Sequence, residues 1–264
     1  MDEAIEEFIQ TKKVKRLSYN TIKAYTFYLT KFQRYIKNKD IEDINFADVI
    51  GFTENMSVLT ARFFIIVLKS FLKFFGRAKL SNRIPLPKGT GKEIRPLNKT
   101  EIELLKNKLK NRFDKAVFHL MISSGLRAGE VINLKIKDID FENNIGKVLG
   151  KGKKKYEKPD IFVFNDEAKT HLLNYLGKRI KNKEDYVFLQ NKEKITYYRF
   201  WKYFKKHFGL RPHQLRHTFC TIYADKLLPT EIQVLARHKS FESTKKYINP
   251  ELKETIKKYK ELKI

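Results

Sequence analysis

The sequence predicts a chain that is mainly α-helical, in two domains, with a small antiparallel β-sheet in the C-terminal one. Three observations carry that expectation. Apolar residues recur at helical spacing from residue 2 to residue 78. A basic stretch holding three of the seven prolines then interrupts the pattern. Between residues 136 and 164 the repeat shortens to two before helical spacing returns.

In the first domain, Ala4, Ile5, Phe8 and Ile9 make the apolar stripe of one helix. Ser18 opens a second, where Ile22, Tyr25, Leu29, Phe32 and Ile36 keep the period and Lys23, Lys31 and Lys37 fall between them. Asn45 caps a short third helix through Asp48 and Phe52. Thr60 starts a strongly apolar fourth, with Phe64, Val67, Leu68, Phe71, Leu72 and Phe75 as core and Gly76 as its stop. Residues 1–78 are expected to fold as a helical bundle. Residues 79–96 read as a basic linker that lies against phosphate.

The second domain is expected over residues 97–264. Asn98 and Glu101 have capping-box spacing, and Ile102, Leu105 and Leu109 follow. Val117, Leu120 and Met121 mark a further helix, ended by Gly125. Arg127 begins the next, where a guanidinium lies beside backbone N–H groups that suit anions, and Glu130 is placed to orient it. Ile139 and Phe141 alternate with charges, Glu142-Asn143-Asn144 turns the chain into a second strand, and Asp160 to Phe164 makes a third. Lys151, between two glycines, stands at the tip of this sheet, beside Lys153, Lys154 and Lys155 as a basic phosphate-binding loop. Residues 166–209 supply two more helices, one with Leu172, Leu173 and Leu176, the other with Tyr198, Trp201, Tyr203 and Phe204.

Residues 211–247 carry the chemistry. Pro212 suits a first helical position, and Leu215, Phe219 and Ile222 give the helix a buried face with His213 and Arg216 projecting together beside it. A second helix opens at Pro229, where Thr230 and Gln233 have capping-box spacing, and closes into Arg237, His238 and Lys239. Tyr247 follows nine residues after His238, ahead of Asn249-Pro250. Imidazoles, guanidiniums and a phenol suit attack on a phosphodiester. His213, His217 and Cys220 also have zinc-ligand spacing, but no fourth ligand is near and no metal is expected. From Glu251 a tail helix repeats Leu252, Ile256 and Tyr259 and is expected over 250–264.

Composition narrows the function classes. Hydrophobic residues at 42%, with 21 phenylalanines, allow a real core and exclude a disordered tail. No apolar run is long enough to span a membrane, and the acidic opening MDEAIEEF is unlike a secretory signal. One cysteine excludes an internal disulfide and fits a reducing cytoplasm. The net charge of +26 implies a polyanionic partner, above all nucleic acid, although a lysine-rich surface is a competing reading.

The order Arg127, Lys151, His213, Arg216, His238, Tyr247, set in SSGLRAGE, GKG, HQLRH and ARHKS, resembles the tyrosine recombinases, and most of all their Xer-type and phage-integrase-like members. The resemblance covers residues 97–264 and reaches the amino-terminal part only in size and helical character. It implies a two-domain architecture, a helical core-binding bundle followed by a mixed α/β catalytic domain. It also implies a 3′-phosphotyrosyl intermediate with Tyr247 as nucleophile, Arg127 and Arg216 as phosphate clamp, His238 as a further donor, His213 as base and Lys151 as acid. No cofactor is required. The partner would be double-stranded DNA at a specific site, with four protomers on two sites and no membrane. The biological role would be chromosome or plasmid dimer resolution, or integration and excision of a mobile element. Two departures stand out: KGKKKYEKPDIFVF lengthens the path to the third strand, and Arg237, read either as a phosphate contact or as a change in how the helix closes ahead of His238, replaces a usually small residue. A DNA-binding architectural protein would share the charge without needing the full set. A type IB topoisomerase would share the chemistry without paired sites.

Overall fold

The computed structural model describes residues 1–89, 95–150, 157–177, 185–245 and 247. The chain divides into two compact units, Met1–Glu93 and Ile94–Ile264.

The first unit is all helical. Helices α1 (Asp2–Val14), α2 (Tyr19–Tyr35), α3 (Phe46–Thr53) and α4 (Val58–Phe74) bury one aromatic core, in which Phe8, Phe32, Phe64 and Phe71 are each at most 1% exposed. Burying each such ring stabilises the fold by about 1.5–3 kcal/mol. Ser18 and Asn45 cap α2 and α3 as expected, and Asn45 and Asp48 form a reciprocal capping box. The cap of α4 is Ser57, whose hydroxyl accepts from the N–H of Thr60, so the helix starts before Thr60. The expected linker is also corrected at its start. Residues Ala78–Arg83 form α5, because Leu80 and Ile84, one turn apart, fit into the core, and Lys69 donates to the Ile84 carbonyl at 2.7 Å.

The second unit is built around α7 (Arg112–Ser124), which follows α6 (Lys99–Lys108). Ala116, Val117, Phe118, Leu120 and Met121 are fully buried, so α7 is apolar nearly all round, as a core helix must be. Gly125 ends it with φ +60, and a Cβ there would lie 2.5 Å from the Phe219 ring; both the turn and the packing require glycine. Then come α8 (Ala128–Val131) and an antiparallel sheet of β1 (Ile139–Asp140), β2 (Ile145–Val148) and β3 (Asp160–Val163), in that order, with Ile139 opposite Gly146 and Val148 opposite Asp160. The expected tip of this sheet, with Lys151, Lys153, Lys154 and Lys155, lies outside the described residues, as does the tail over 250–264.

Helix α9 (Asp166–Leu176) packs along α7. Between it and α10 (Tyr197–Phe208) stands a hairpin that the sequence reading lacked, β4 (Leu189–Gln190) and β5 (Glu193–Lys194). Its two-residue loop, Asn191-Lys192, has φ of 51° and 65°, the geometry that matches strand twist. On α10, Phe200, Phe204 and Phe208 face the core while Tyr197 and Tyr198 are exposed. The unit closes with α11 (Pro212–Ala224), α12 (Pro229–Leu235) and α13 (Glu242–Lys245). The cap of α12 is Leu228, whose N–H donates to Glu231 at 2.7 Å, not the expected Thr230 and Gln233 pair. Thr218 on α11 accepts from the Leu97 N–H at 2.9 Å and pins the start of the unit to that helix.

Candidate active site

The site forms where two turns meet over α11. One is the Ser124–Arg127 turn between α7 and α8; the other is the Ala236–His238 turn after α12. Arg216 is buried on α11 and joins them, donating from Nη1 to the Gly125 carbonyl at 2.6 Å and from Nη2 to the Ala236 carbonyl. Burial, then the nearby guanidiniums of Arg127 and Arg237, hold its pKa down to about 10, with Glu130 opposing. It is still a cation at neutral pH.

Arg127, the N-cap residue of α8, reaches across the same gap, its Nη2 donating to the Arg237 carbonyl at 3.1 Å. Its Nη1 donates to Oε1 of Glu130 at 2.7 Å, and its backbone N–H donates to Oε2 at 2.9 Å. Glu130 is buried and orients Arg127 as the sequence reading expected. The side chain of Arg127 stays 24% exposed and lines a cleft of 540 Å³ with His238, Lys239, Lys158 and Asp160. Two cationic side chains and an imidazole beside a guanidinium fit an anion.

Arg237 departs from its expected role as a DNA contact. Its side chain is only 3% exposed, because φ of +54° turns it inward. There it donates to the carbonyls of Ser124, Gly125 and Leu235 and lies 3.5 Å from Glu130. Burial lowers its pKa first, with Glu130 opposing and Arg127 adding to the shift.

Tyr247 is half-buried against the apolar cluster of Phe219, Cys220, Ile232 and Ala236. Its ring stacks on that of His238, 6.2 Å between centroids and 8° between planes, and His238 Nδ1 is 2.8 Å from the Thr244 hydroxyl. The Tyr247 hydroxyl lies 2.7 Å from Nδ1 of His217. His213 is exposed one turn earlier on α11, its ring 5.1 Å from that of His217. Burial and the Cys220 thiol push the Tyr247 pKa up, with Arg216 opposing. The sequence reading weighed His217 only as a zinc ligand and did not place it beside Tyr247. The available signal was that i and i+4 on one helix share a face.

His217 and Cys220, two members of the zinc-spaced trio, are thus in the surroundings of Tyr247. Among the described residues a different cluster has metal-ligand donor types: His119, Glu167 and His171. There the Glu167 carboxylate is already paired with Lys106 at 3.1 Å.

A partly exposed guanidinium at a basic cleft, a second guanidinium buried between the same two turns and a phenol stacked on His238 are the residue types of a phosphoryl-transfer site. A family model described as the phage integrase family matches residues 90–254, and the chain belongs to that family. It is a tyrosine-type site-specific DNA recombinase of the Xer kind. The tyrosine recombinase XerA of Saccharolobus solfataricus is 36% identical over 193 residues, covering 72% of this chain and 62% of that one. XerA of Pyrococcus furiosus is 29% identical over 262 residues, covering 93% of this chain and 88% of that one. A crystal structure of a lambda integrase dimer bound to a core site shares the fold with a TM-score of 0.74 at 15% identity, over 96% of this chain and 97% of that one. Among the described residues no helix is long and apolar enough to cross a membrane.

Proposed function

We propose that Tyr247 is the nucleophile of this recombinase, that Arg127 and Arg216 grip the phosphate it attacks, and that the covalent product is a 3′-phosphotyrosine. The observation that carries the reading is the pair of arginines fastened across the two turns, through the carbonyls of Gly125, Ala236 and Arg237. Those bonds fix two guanidiniums before any DNA arrives, so stabilising the charge on the nonbridging oxygens needs no reorganisation. The Tyr247 oxygen bonds to phosphorus, the bond from phosphorus to the 5′ oxygen breaks, and the phenolic proton passes to an imidazole. Lys151 is assigned to protonate the departing 5′ oxygen, as the family resemblance implies. Of the two histidines on α11, His217 is the one in contact with the hydroxyl; His213, on the exposed side, stands nearer to incoming DNA. His238 donates a further hydrogen bond to the phosphate.

The substrate in this reading is duplex DNA carrying a specific site, with four protomers assembled on two such sites. The first unit and residues 79–96 add DNA contacts, and Lys153, Lys154 and Lys155 hold the backbone near the cleft. The test is a nicked duplex containing the sequence the protein occupies in cells, run on a denaturing gel. A protease-sensitive covalent band, with the nucleotide mapped to Tyr247, is expected. The absence of any covalent band would favour an architectural DNA-binding role.

A further inference from the structure

Arg237 is a costly residue for its position. A non-glycine side chain at φ of +54° is strained, and this one carries a buried cation beside two others. Its Nε has no hydrogen-bond partner among the described residues. A glycine would remove all three penalties. Such costs persist where the surroundings over-determine them, and they gather at functional sites.

The gain lies in what Arg237 braces. Its carbonyl accepts from Nη2 of Arg127 at 3.1 Å, and its Nη2 lies 3.5 Å from Oε2 of Glu130, whose Oε1 holds Nη1 of Arg127 at 2.7 Å. Glu130 is therefore clamped from both sides. The Gly125 carbonyl is shared in the same way, accepting from Arg216 at 2.6 Å and from Arg237 at 3.1 Å. One side chain thus touches a partner of each guanidinium assigned to the phosphate. We infer that Arg237 is a positioning residue for DNA cleavage, fixing Arg127 and Arg216 through Glu130 and the Gly125 carbonyl. This rests on the reading that those two arginines grip the scissile phosphate. Because Arg237 is sealed from solvent, it contributes to the rate of chemistry and not to the affinity for DNA.

The test compares wild type, R237K and R237G in single-turnover cleavage of the nicked duplex at saturating protein, with DNA affinity and thermal midpoint measured on the same preparations. Both variants are expected to bind DNA within about twofold of wild type and to cleave about tenfold more slowly or worse, since small displacements of positioning groups carry such losses. R237K keeps the charge but loses the planar fork, so it recovers only part of the rate. A purely structural role would move the midpoint and leave the saturated rate of the folded protein unchanged. That result, or a cleavage loss matched by an equal loss of affinity, overturns the inference. If R237G does not fold, R237K decides. A wild type that forms no covalent product sinks the underlying reading as well, whereas a cleaving wild type with two equally fast variants sinks this inference alone.

Discussion

The hydroxyl of Tyr247 lies 2.7 Å from Nδ1 of His217, and His217 is buried on a helix whose preceding turn carries the exposed His213. Geometry comes before pKa in choosing a proton acceptor, and here it selects the inner histidine. With the phenol pKa pushed up by burial, the hydroxyl is neutral throughout the working range and needs that acceptor. His217→Phe keeps the ring and removes the nitrogen. Single-turnover cleavage should fall about a hundredfold, the low end of what a general base supplies. A wild-type rate from His217→Phe would return the base to His213.

The lysines flanking Lys151 lie outside the described residues, but their charge makes a separable prediction. Neutralising Lys153, Lys154 and Lys155 together should weaken binding to every duplex and flatten the salt dependence by about 0.9 in log–log slope for each phosphate that is no longer neutralised. Lys151→Ala should leave affinity unchanged and slow cleavage. Filter binding over a salt series, beside the cleavage assay, reads both. Normal cleavage by Lys151→Ala would move the acid to a neighbouring lysine.

Away from the site, His119 ties stability to pH. Burial holds its pKa down to about 4, against an ordinary value of 6.5, with Glu167 opposing and His171 and Lys106 adding to the shift. The unfolded chain therefore takes up a proton at a pH where the folded chain does not. Stability from this group is complete above pH 6.5 and is lost as the pH falls towards 4. Thermal midpoints should drop over that window, and His119→Gln should flatten the drop. An unchanged slope in the variant would assign the acid sensitivity elsewhere.

Much of the fold was legible because helical spacing and caps act locally. Asn98 with Glu101 was found by spacing alone, since a reciprocal cap needs only neighbours, and Asn45 was found as a cap by its residue type ahead of an apolar run. The hairpin at Asn191-Lys192 was not, because neither residue is the glycine that usually marks such a turn. Helix α5 was hidden by its basic neighbours, as Leu80 and Ile84 are the apolar residues it turns to the core, beside the buried Ser81. At the site, residue types in a particular order singled out Arg127, Arg216, His238 and Tyr247; periodicity could not. What separates His217 from His213 is depth along one helix face, which tertiary packing decides. Of the two readings of Arg237, phosphate contact or a change in how the helix closes, burial favours the second, and nothing local announces the positive φ at this position.

Tyr247 carries the largest prediction. Its hydroxyl is the atom assigned to attack, while its ring packs against Phe219, Cys220, Ile232 and Ala236 and stacks on His238. Tyr247→Phe keeps the ring contacts and deletes only the oxygen, so the arginine clamp and the cleft stay as they are. The variant should bind its DNA site about as tightly as wild type and form no covalent adduct, because the atom assigned to attack is gone. Losing the bond to His217 costs at most about 1–3 kcal/mol of stability if it leaves the imidazole nitrogen unsatisfied, so the variant should fold. Tyr259, in the tail, is the control: its expected role is apolar packing, and Tyr259→Phe should cleave normally. The readout is the trapped band from a nicked duplex on a denaturing gel, with affinity measured in parallel. A covalent band from Tyr247→Phe would sink the assignment, and a band lost only in Tyr259→Phe would move the nucleophile to the tail.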